Sequence, residues 1–117
     1  MQITIRTKSV DLNPGLEAFI KEKLGKIDKL LPLNFAGGVE VEIGLTTTKH
    51  QKGDIYFAEL QIELPKGKKI IAIEKKDNIK TAILASKESL ALQIKKYKEK
   101  IEKEKTRGGK EEFQEQI

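Results

Sequence analysis

The sequence contains no cysteine and no tryptophan, and His50 is its only histidine. The absence of cysteine excludes disulfide bonds, a thiolate nucleophile and a thiolate metal site. His50 lies in a polar loop with no group of carboxylates at ligand spacing, so we predict that no metal is bound. No glycine-rich phosphate-binding loop follows a predicted strand, and no serine or threonine has a recognisable base and orienting partner. We therefore expect no catalytic residue, no cofactor and no small-molecule substrate, and so no enzyme.

Long apolar runs are also lacking. No segment reaches the roughly 18 apolar residues of a membrane span, and the first residues alternate between apolar and polar instead of forming the apolar core of a signal peptide. We therefore expect a soluble, unprocessed cytoplasmic protein with no membrane partner. The 117 residues suffice for one hydrophobic core, which predicts a single domain.

Lysine is abundant. Lys and Arg together number 23 against 18 Asp and Glu, which gives a formal net charge of +5. A basic chain favours an anionic partner such as a nucleic acid, provided that the charges are concentrated on one surface.

The spacing of apolar residues predicts four strands and two helices. Alternation predicts strands over residues 2–7, 39–45, 56–64 and 69–73. Asn13 and Pro14 start a helix that ends near Lys29, and Asp77 or Asn78 caps a second helix that runs to about residue 105. This second helix is longer than a small sheet, so its end should protrude. Residues 106–109 should break it, so we expect residues 1–105 to form the domain and residues 106–117 a short flexible tail.

The order of elements predicts an α+β fold of the form β-α-β-β-β-α. A right-handed crossover through the first helix makes strand one parallel to strand two, whereas strands two to four form an antiparallel meander. The result is a four-stranded mixed sheet with both helices packed on one face.

The two sides of this fold should differ in charge. The open face of the sheet carries Glu40, Glu42, Glu59 and Glu63, with only Arg6 to offset them, and it would repel phosphate. The helical side is basic. The second helix contributes eight basic residues and four acids, and the first helix contributes further lysines at positions 21, 23, 26 and 29. We therefore expect RNA to bind the helices through its phosphate backbone.

Three stretches resemble one known family. They are the lead-in and first helix from Val10 to Ile27, the third strand and turn from Phe57 to Pro65, and the basic part of the second helix from Leu90 to Lys100. Together they are similar to the ribosome hibernation-promoting factors and ribosome-associated translation inhibitors, also called protein Y, in their short form. The resemblance covers nearly all of residues 1–105.

The resemblance implies a function and a set of binding residues. Family members bind the small ribosomal subunit where mRNA and tRNA would lie, in contact with its rRNA, and stop translation on whole ribosomes in starved or stressed cells. The matching positions are Lys23 and Lys26 in the first helix and Lys95, Lys96, Lys98 and Lys100 in the second. Lys87 joins them as a member of the same charge cluster.

Some positions depart from the family pattern, and two alternative functions remain open. Lys80 and Leu84 replace a usual aromatic residue and acid, and Ser89 and Leu92 replace usual basic residues. A generic double-stranded RNA-binding module would share the helices and the sheet. A coiled-coil interaction module is disfavoured because only Ile101 is apolar beyond Tyr97. We accordingly expect a monomer when the protein is free.

Overall fold

The computed structural model describes residues 1–32, 35, 37–46 and 55–113, with side chains up to residue 102. Four strands form one sheet: β1 (Gln2–Lys8), β2 (Gly38–Leu45), β3 (Tyr56–Leu64) and β4 (Lys68–Lys76). Two helices complete the fold: α1 (Pro14–Gly25) between β1 and β2, and α2 (Ile79–Phe113) after β4. The predicted order β-α-β-β-β-α is confirmed.

The sheet has the predicted mixed topology. Its strand order is β1-β2-β3-β4, with β1 parallel to β2 and both remaining pairs antiparallel. The parallel register places Gln2 beside Gly38 and Ile5 beside Val41. Since parallel strands need a crossover connection, α1 lies on the sheet between them.

One face of the sheet forms the hydrophobic core together with both helices. The inward residues of β2 and β3, such as Val41 and Leu60, are fully buried, and they pack with Ile20 of α1 and Ile83 of α2. Ser86 is the one buried polar residue among the described side chains, and its hydroxyl donates to the carbonyl of Ile83 at 2.9 Å. The core therefore fixes the position and the rotation of each helix.

Helix α1 starts as predicted and ends earlier. The side chain of Asn13 accepts a hydrogen bond from the backbone N–H of Leu16 at 2.7 Å, and Pro14 is the first helical residue. The α-helix ends at Gly25 instead of Lys29, and a tighter 3₁₀ turn over Lys26–Leu30 follows. Ile27 in this turn is still buried, so the apolar residue that suggested a longer helix packs into the core from the 3₁₀ turn.

Helix α2 is capped by Asn78. Its side-chain oxygen accepts from the backbone N–H groups of Lys80 at 2.9 Å and Thr81 at 3.2 Å. The helix has 35 residues and so extends for about 52 Å, which accounts for most of the 62 Å longest dimension of the molecule. The predicted protrusion is therefore confirmed.

The helix break predicted at residues 106–109 is wrong, because α2 continues to Phe113. Glycine disfavours a helix, but it keeps its N–H donor and adopts helical angles, and no proline follows Pro65 in the sequence. Residues 114–117 lie outside the described residues. The division into a domain of residues 1–105 and a flexible tail of residues 106–117 stays a prediction.

Candidate nucleic-acid interface

The buried residues of α2 determine which of its lysines face which neighbour. Ile83, Leu90 and Ile94 are fully buried and define the inward line of the helix. At about 100° per residue, Lys80, Lys87 and Lys98 lie within about 20° of one another on one flank of this line. Lys96 and Lys100 lie on the opposite flank. The predicted lysines of α2 therefore belong to two separate surfaces.

The first surface faces α1, and an aromatic ring lies at its centre. The Nζ atom of Lys80 is 5.2 Å from the centroid of the Phe19 ring, and the Nζ atom of Lys23 is 5.6 Å from the same centroid. Both distances are short enough for a cation–π interaction. The ring thus holds two ammonium groups from different helices close together, although they repel each other.

The second surface faces the outer edge of β4. The side-chain amide of Gln93 donates a hydrogen bond to the backbone carbonyl of Ile71 at 3.1 Å, which ties this flank of α2 to the edge strand. One and two turns further along, Lys96 and Lys100 line a cleft together with Lys68 and Lys69 at the start of β4. Lysine residues from two elements therefore line the same cleft.

The predicted lysines lie where α2 leaves the core. Ile94 is fully buried, Tyr97 is half-buried, and Ile101 is 39% exposed. The lysines at positions 95, 96, 98 and 100 are all exposed around this turn. Their backbone is thus held by the packing of Ile94 and Tyr97, while their ammonium groups remain accessible.

The seven predicted lysines carry charge that no carboxylate neutralises. Among the described residues, none of the seven forms an ion pair. Lys21 differs, because Glu17 one turn earlier in α1 lies 2.8 Å from its Nζ atom. Between Lys80 and Glu102, α2 has six lysines and three glutamates, so the surplus of positive charge is local to this side of the molecule.

All seven predicted residues lie on the helical side, but the structure brings only some of them together. Lys23 is brought to α2, whereas Lys26 is exposed at the start of the 3₁₀ turn. Sequence reasoning missed Lys68, Lys69 and Lys80 as members of the basic surfaces. For Lys80 a signal was available, since it precedes Lys87 by seven residues and so shares its flank. No sequence signal identified the two lysines of β4, because the lysines that line the cleft with them belong to α2.

The remaining departures from the family pattern are Leu84, Ser89 and Leu92. Leu84 and Leu92 are 37% and 54% exposed, and Ser89 accepts a hydrogen bond of 3.4 Å from the amide of Gln93. Ser89 therefore helps to orient the residue that contacts β4.

The open face of the sheet is less uniformly acidic than its sequence suggested. A guanidinium nitrogen of Arg6 lies 3.7 Å from a carboxylate oxygen of Glu40, and another lies 3.8 Å from one of Glu42. Arg6 therefore offsets part of the negative charge of β2. However, the register also places Lys69 opposite Glu63 and Lys75 opposite Phe57, so Arg6 is not the only basic residue there. Acidic residues occupy the two central strands, and basic residues flank them on the edge strands.

The described residues contain no group of three His, Asp or Glu side chains that could hold a metal ion. His50 lies outside the described residues, so its predicted solvation is not tested. Among the described helices, none has the length and apolar composition needed to cross a membrane.

The fold and its lysine surfaces define a class of protein: a β-α-β-β-β-α domain with a cationic helical side and a protruding second helix. The chain belongs to the family described as sigma 54 modulation protein / S30EA ribosomal protein, whose model matches residues 3–102. This is a family of ribosome-associated factors and is not known as an enzyme family. The resemblance seen in the sequence is thereby confirmed, and nothing in the match favours the double-stranded RNA-binding alternative.

Solved structures share the fold. The N-terminal domain of protein Y from Thermus thermophilus superposes with a TM-score of 0.68 at 19% sequence identity, over 83% of this chain and 99% of that domain. A ribosomal subunit interface protein from Coxiella burnetii gives a TM-score of 0.68 at 21% identity, over 84% of this chain and 98% of the other. No curated protein matches the chain significantly in sequence.

Proposed function

We propose that the protein binds the small ribosomal subunit, alone and in whole ribosomes, through the basic helical side of its fold. It contacts rRNA in the region that mRNA and tRNA occupy, and so inhibits translation or keeps ribosomes dormant under stress or in stationary phase. It acts in the cytoplasm, as a monomer before it binds, and without a cofactor.

The observation that carries the proposal is the concentration of unneutralised lysine on one side of a protein from a ribosome-associated family. Ammonium groups that already have a carboxylate partner would have to break that pair before they bound a phosphate. The seven lysines form no such ion pair among the described residues, so their full charge is available to an RNA backbone.

The shape of the molecule supports the same conclusion. Helix α2 extends beyond the core, so the lysines at positions 95–100, where it leaves the core, reach into a groove or channel that the body of the protein is too wide to enter. A folded domain held in the path of mRNA and tRNA inhibits translation by exclusion, which requires no chemical step. This agrees with a surface that is rich in lysine.

Co-sedimentation with purified ribosomal subunits tests the proposal. We expect the protein to pellet with the small subunit and with whole ribosomes, and to be released steeply as salt rises, because each phosphate contact displaces counterions. An equal concentration of plain duplex RNA serves as competitor. Binding that does not weaken as the salt concentration rises would contradict the proposal. Displacement of the protein from ribosomes by duplex RNA as readily as by free small subunits would contradict it as well.

A further inference from the structure

A cleft lies between α2 and the start of β4, on the flank of α2 that faces away from α1. Its volume is about 440 Å³. Lysines from both elements line it, and Tyr97 and Ile101 supply apolar surface from α2. The lysines are Lys68, Lys69, Lys96 and Lys100.

Two contacts determine the shape of this cleft. The hydrogen bond from Gln93 to the carbonyl of Ile71 holds α2 against the edge of β4 just before the cleft begins. At the other end, the turn over Pro65–Gly67 has positive φ angles at Lys66 and Gly67, and it leads directly into Lys68. The lysines of β4 are therefore presented by a tight turn and an ordered strand.

The lining residues combine the two properties that bind a nucleotide. The ammonium groups of Lys68, Lys96 and Lys100 suit a phosphate, and none of the described residues that line the cleft is acidic. Lys69 also borders the cleft, but it alternates with the buried Ile70 and stands opposite Glu63 on the open face of the sheet, so its charge is not assigned to the cleft. The half-buried ring of Tyr97 beside Ile101 offers an apolar surface against which a base can stack. The volume falls within the usual range of small-ligand pockets, about 300–1,000 Å³. A duplex does not fit, because its bases are already stacked on their neighbours.

We propose that this cleft holds one unpaired nucleotide of an RNA strand, with its base against Tyr97 and its phosphates among Lys68, Lys96 and Lys100. The inference rests on the proposed function and adds to it, since it assigns single-stranded RNA to one of the two basic surfaces. The surface that faces α1 is not part of this cleft, and the proposed function assigns it to the RNA backbone.

The first test removes charge from β4 without touching α2. The double variant K68Q/K69Q is compared with K75Q/K76Q, which removes the same charge from exposed positions about 23 Å further along the same strand. Fluorescence anisotropy measures the binding of each to a labelled single-stranded RNA of ten nucleotides. We expect K68Q/K69Q to bind about five-fold more weakly and its salt slope to fall by about 0.7, as for one lost phosphate contact, that of Lys68. K75Q/K76Q should lose no more than about two-fold.

Equal losses in the two variants would mean that only net charge matters, and would overturn the proposal. Unchanged binding by K68Q/K69Q would overturn it as well. With duplex RNA, the difference in affinity between the two variants should be much smaller. A difference as large as that for the single strand would also contradict a site for an unpaired nucleotide.

The second test addresses the base. Tyr97→Leu should weaken binding of the single strand by about ten-fold, whereas Tyr97→Phe, which keeps the ring, should bind like the parent protein. Thermal unfolding of both variants checks that they are folded. If Tyr97→Leu unfolds, photo-crosslinking of the parent protein to 4-thiouridine RNA replaces it. Crosslinks in the peptide that contains Tyr97 support the proposal, and crosslinks confined to other peptides contradict it.

A free nucleotide could present the same chemistry as an RNA strand. Adenosine and uridine monophosphate are therefore titrated as competitors. Competition only at concentrations far above that of the RNA supports a site on a strand, and competition at equal concentration would assign the cleft to a free nucleotide instead. Failure of the parent protein to sediment with ribosomes would refute the proposed function, whereas the oligonucleotide measurements decide the cleft by themselves.

Discussion

The side chain of Gln93 in α2 donates a hydrogen bond to the backbone carbonyl of Ile71 in β4, at 3.1 Å. Ile71 lies in an edge strand, which has a neighbouring strand on one side only. The bond therefore has two effects: it positions α2 beside the lysines of β4, and it occupies part of an edge that would otherwise be open.

This relationship predicts the effect of removing the amide. Gln93→Met keeps the length of the side chain but cannot donate, and it should lower the free energy of unfolding by about 1 kcal/mol, the usual net contribution of one hydrogen bond. Urea denaturation measures the change. Glu99→Met, at an exposed position of the same helix, is the control and should change stability by less than half as much. Equal effects would mean that the hydrogen bond does not stabilise this contact.

The four predicted lysines of α2 where it leaves the core give a second prediction. Replacing Lys95, Lys96, Lys98 and Lys100 together by alanine should leave the melting temperature unchanged within about 3 °C, because alanine favours a helix and exposed charges contribute little stability. Ribosome binding and translation inhibition should nevertheless be lost together, and the residual binding should depend less steeply on salt. A folded variant that still inhibits an in-vitro translation reaction at the concentration of the parent protein would exclude these four lysines as the main contact. Lys23 and Lys26 would then be the next residues to replace.

The open face of the sheet gives a third prediction. Changing Glu40, Glu42, Glu59 and Glu63 to glutamine should leave ribosome binding intact, because these residues lie on the side of the sheet away from the helices. Stability should change little. Glu42 and Glu59 stand directly opposite each other in the register, so glutamine removes a repulsion there while it also removes the ion pairs of Arg6. Loss of co-sedimentation by the folded variant would show that RNA contacts the open face.

The replacement of two glycines by alanine gives a fourth prediction, with opposite effects on the free energy of unfolding. Gly25 has helical angles, and a Cβ atom there would meet nothing within 4 Å, so Gly25→Ala should stabilise the protein by about 0.5–1 kcal/mol. At Gly44 a Cβ atom would lie 2.8 Å from the ring of Phe57 and closer still to the backbone of Lys8, with which Gly44 pairs across the parallel strands. Gly44→Ala should therefore destabilise it by about 1–3 kcal/mol.

Thermal unfolding of both glycine variants checks the pair. A stabilised Gly44→Ala would mean that β1 moves away from β2 at no cost, which contradicts the close approach of their backbones. A destabilised Gly25→Ala would mean that the end of α1 needs a flexible residue, for which the structure gives no reason.

Most of the fold could be predicted from the sequence because it depends on local patterns. The alternation in β2 and β3 matches their burial, and the Asn13 cap and the parallel pairing of β1 with β2 follow from side-chain chemistry and crossover handedness. The end of α1 could not be predicted, since Ile27 continues the apolar spacing of α1 and is buried in the 3₁₀ turn as it would be in a longer helix.

The candidate interface was predicted less completely. Sequence spacing assigns a lysine to a flank of its own helix, and this sufficed for Lys96 and Lys98. It does not reveal which other element faces that flank. The contact of Lys80 with Phe19 and the cleft that Lys68 shares with Lys100 both depend on how α1 and β4 pack against α2.

The parallel pairing of β1 with β2 also has a consequence for the order of folding. Strands β2 to β4 and α2 are neighbours along the chain, so their contacts close short loops, whereas β1 pairs with β2 only after a long loop that contains α1 has closed. During synthesis, β1 and α1 leave the ribosome first, yet β1 has no strand to pair with until Gly38–Leu45 has followed. We therefore expect the segment made first to complete the sheet last, and mutations in β1 to accelerate unfolding more than they slow folding.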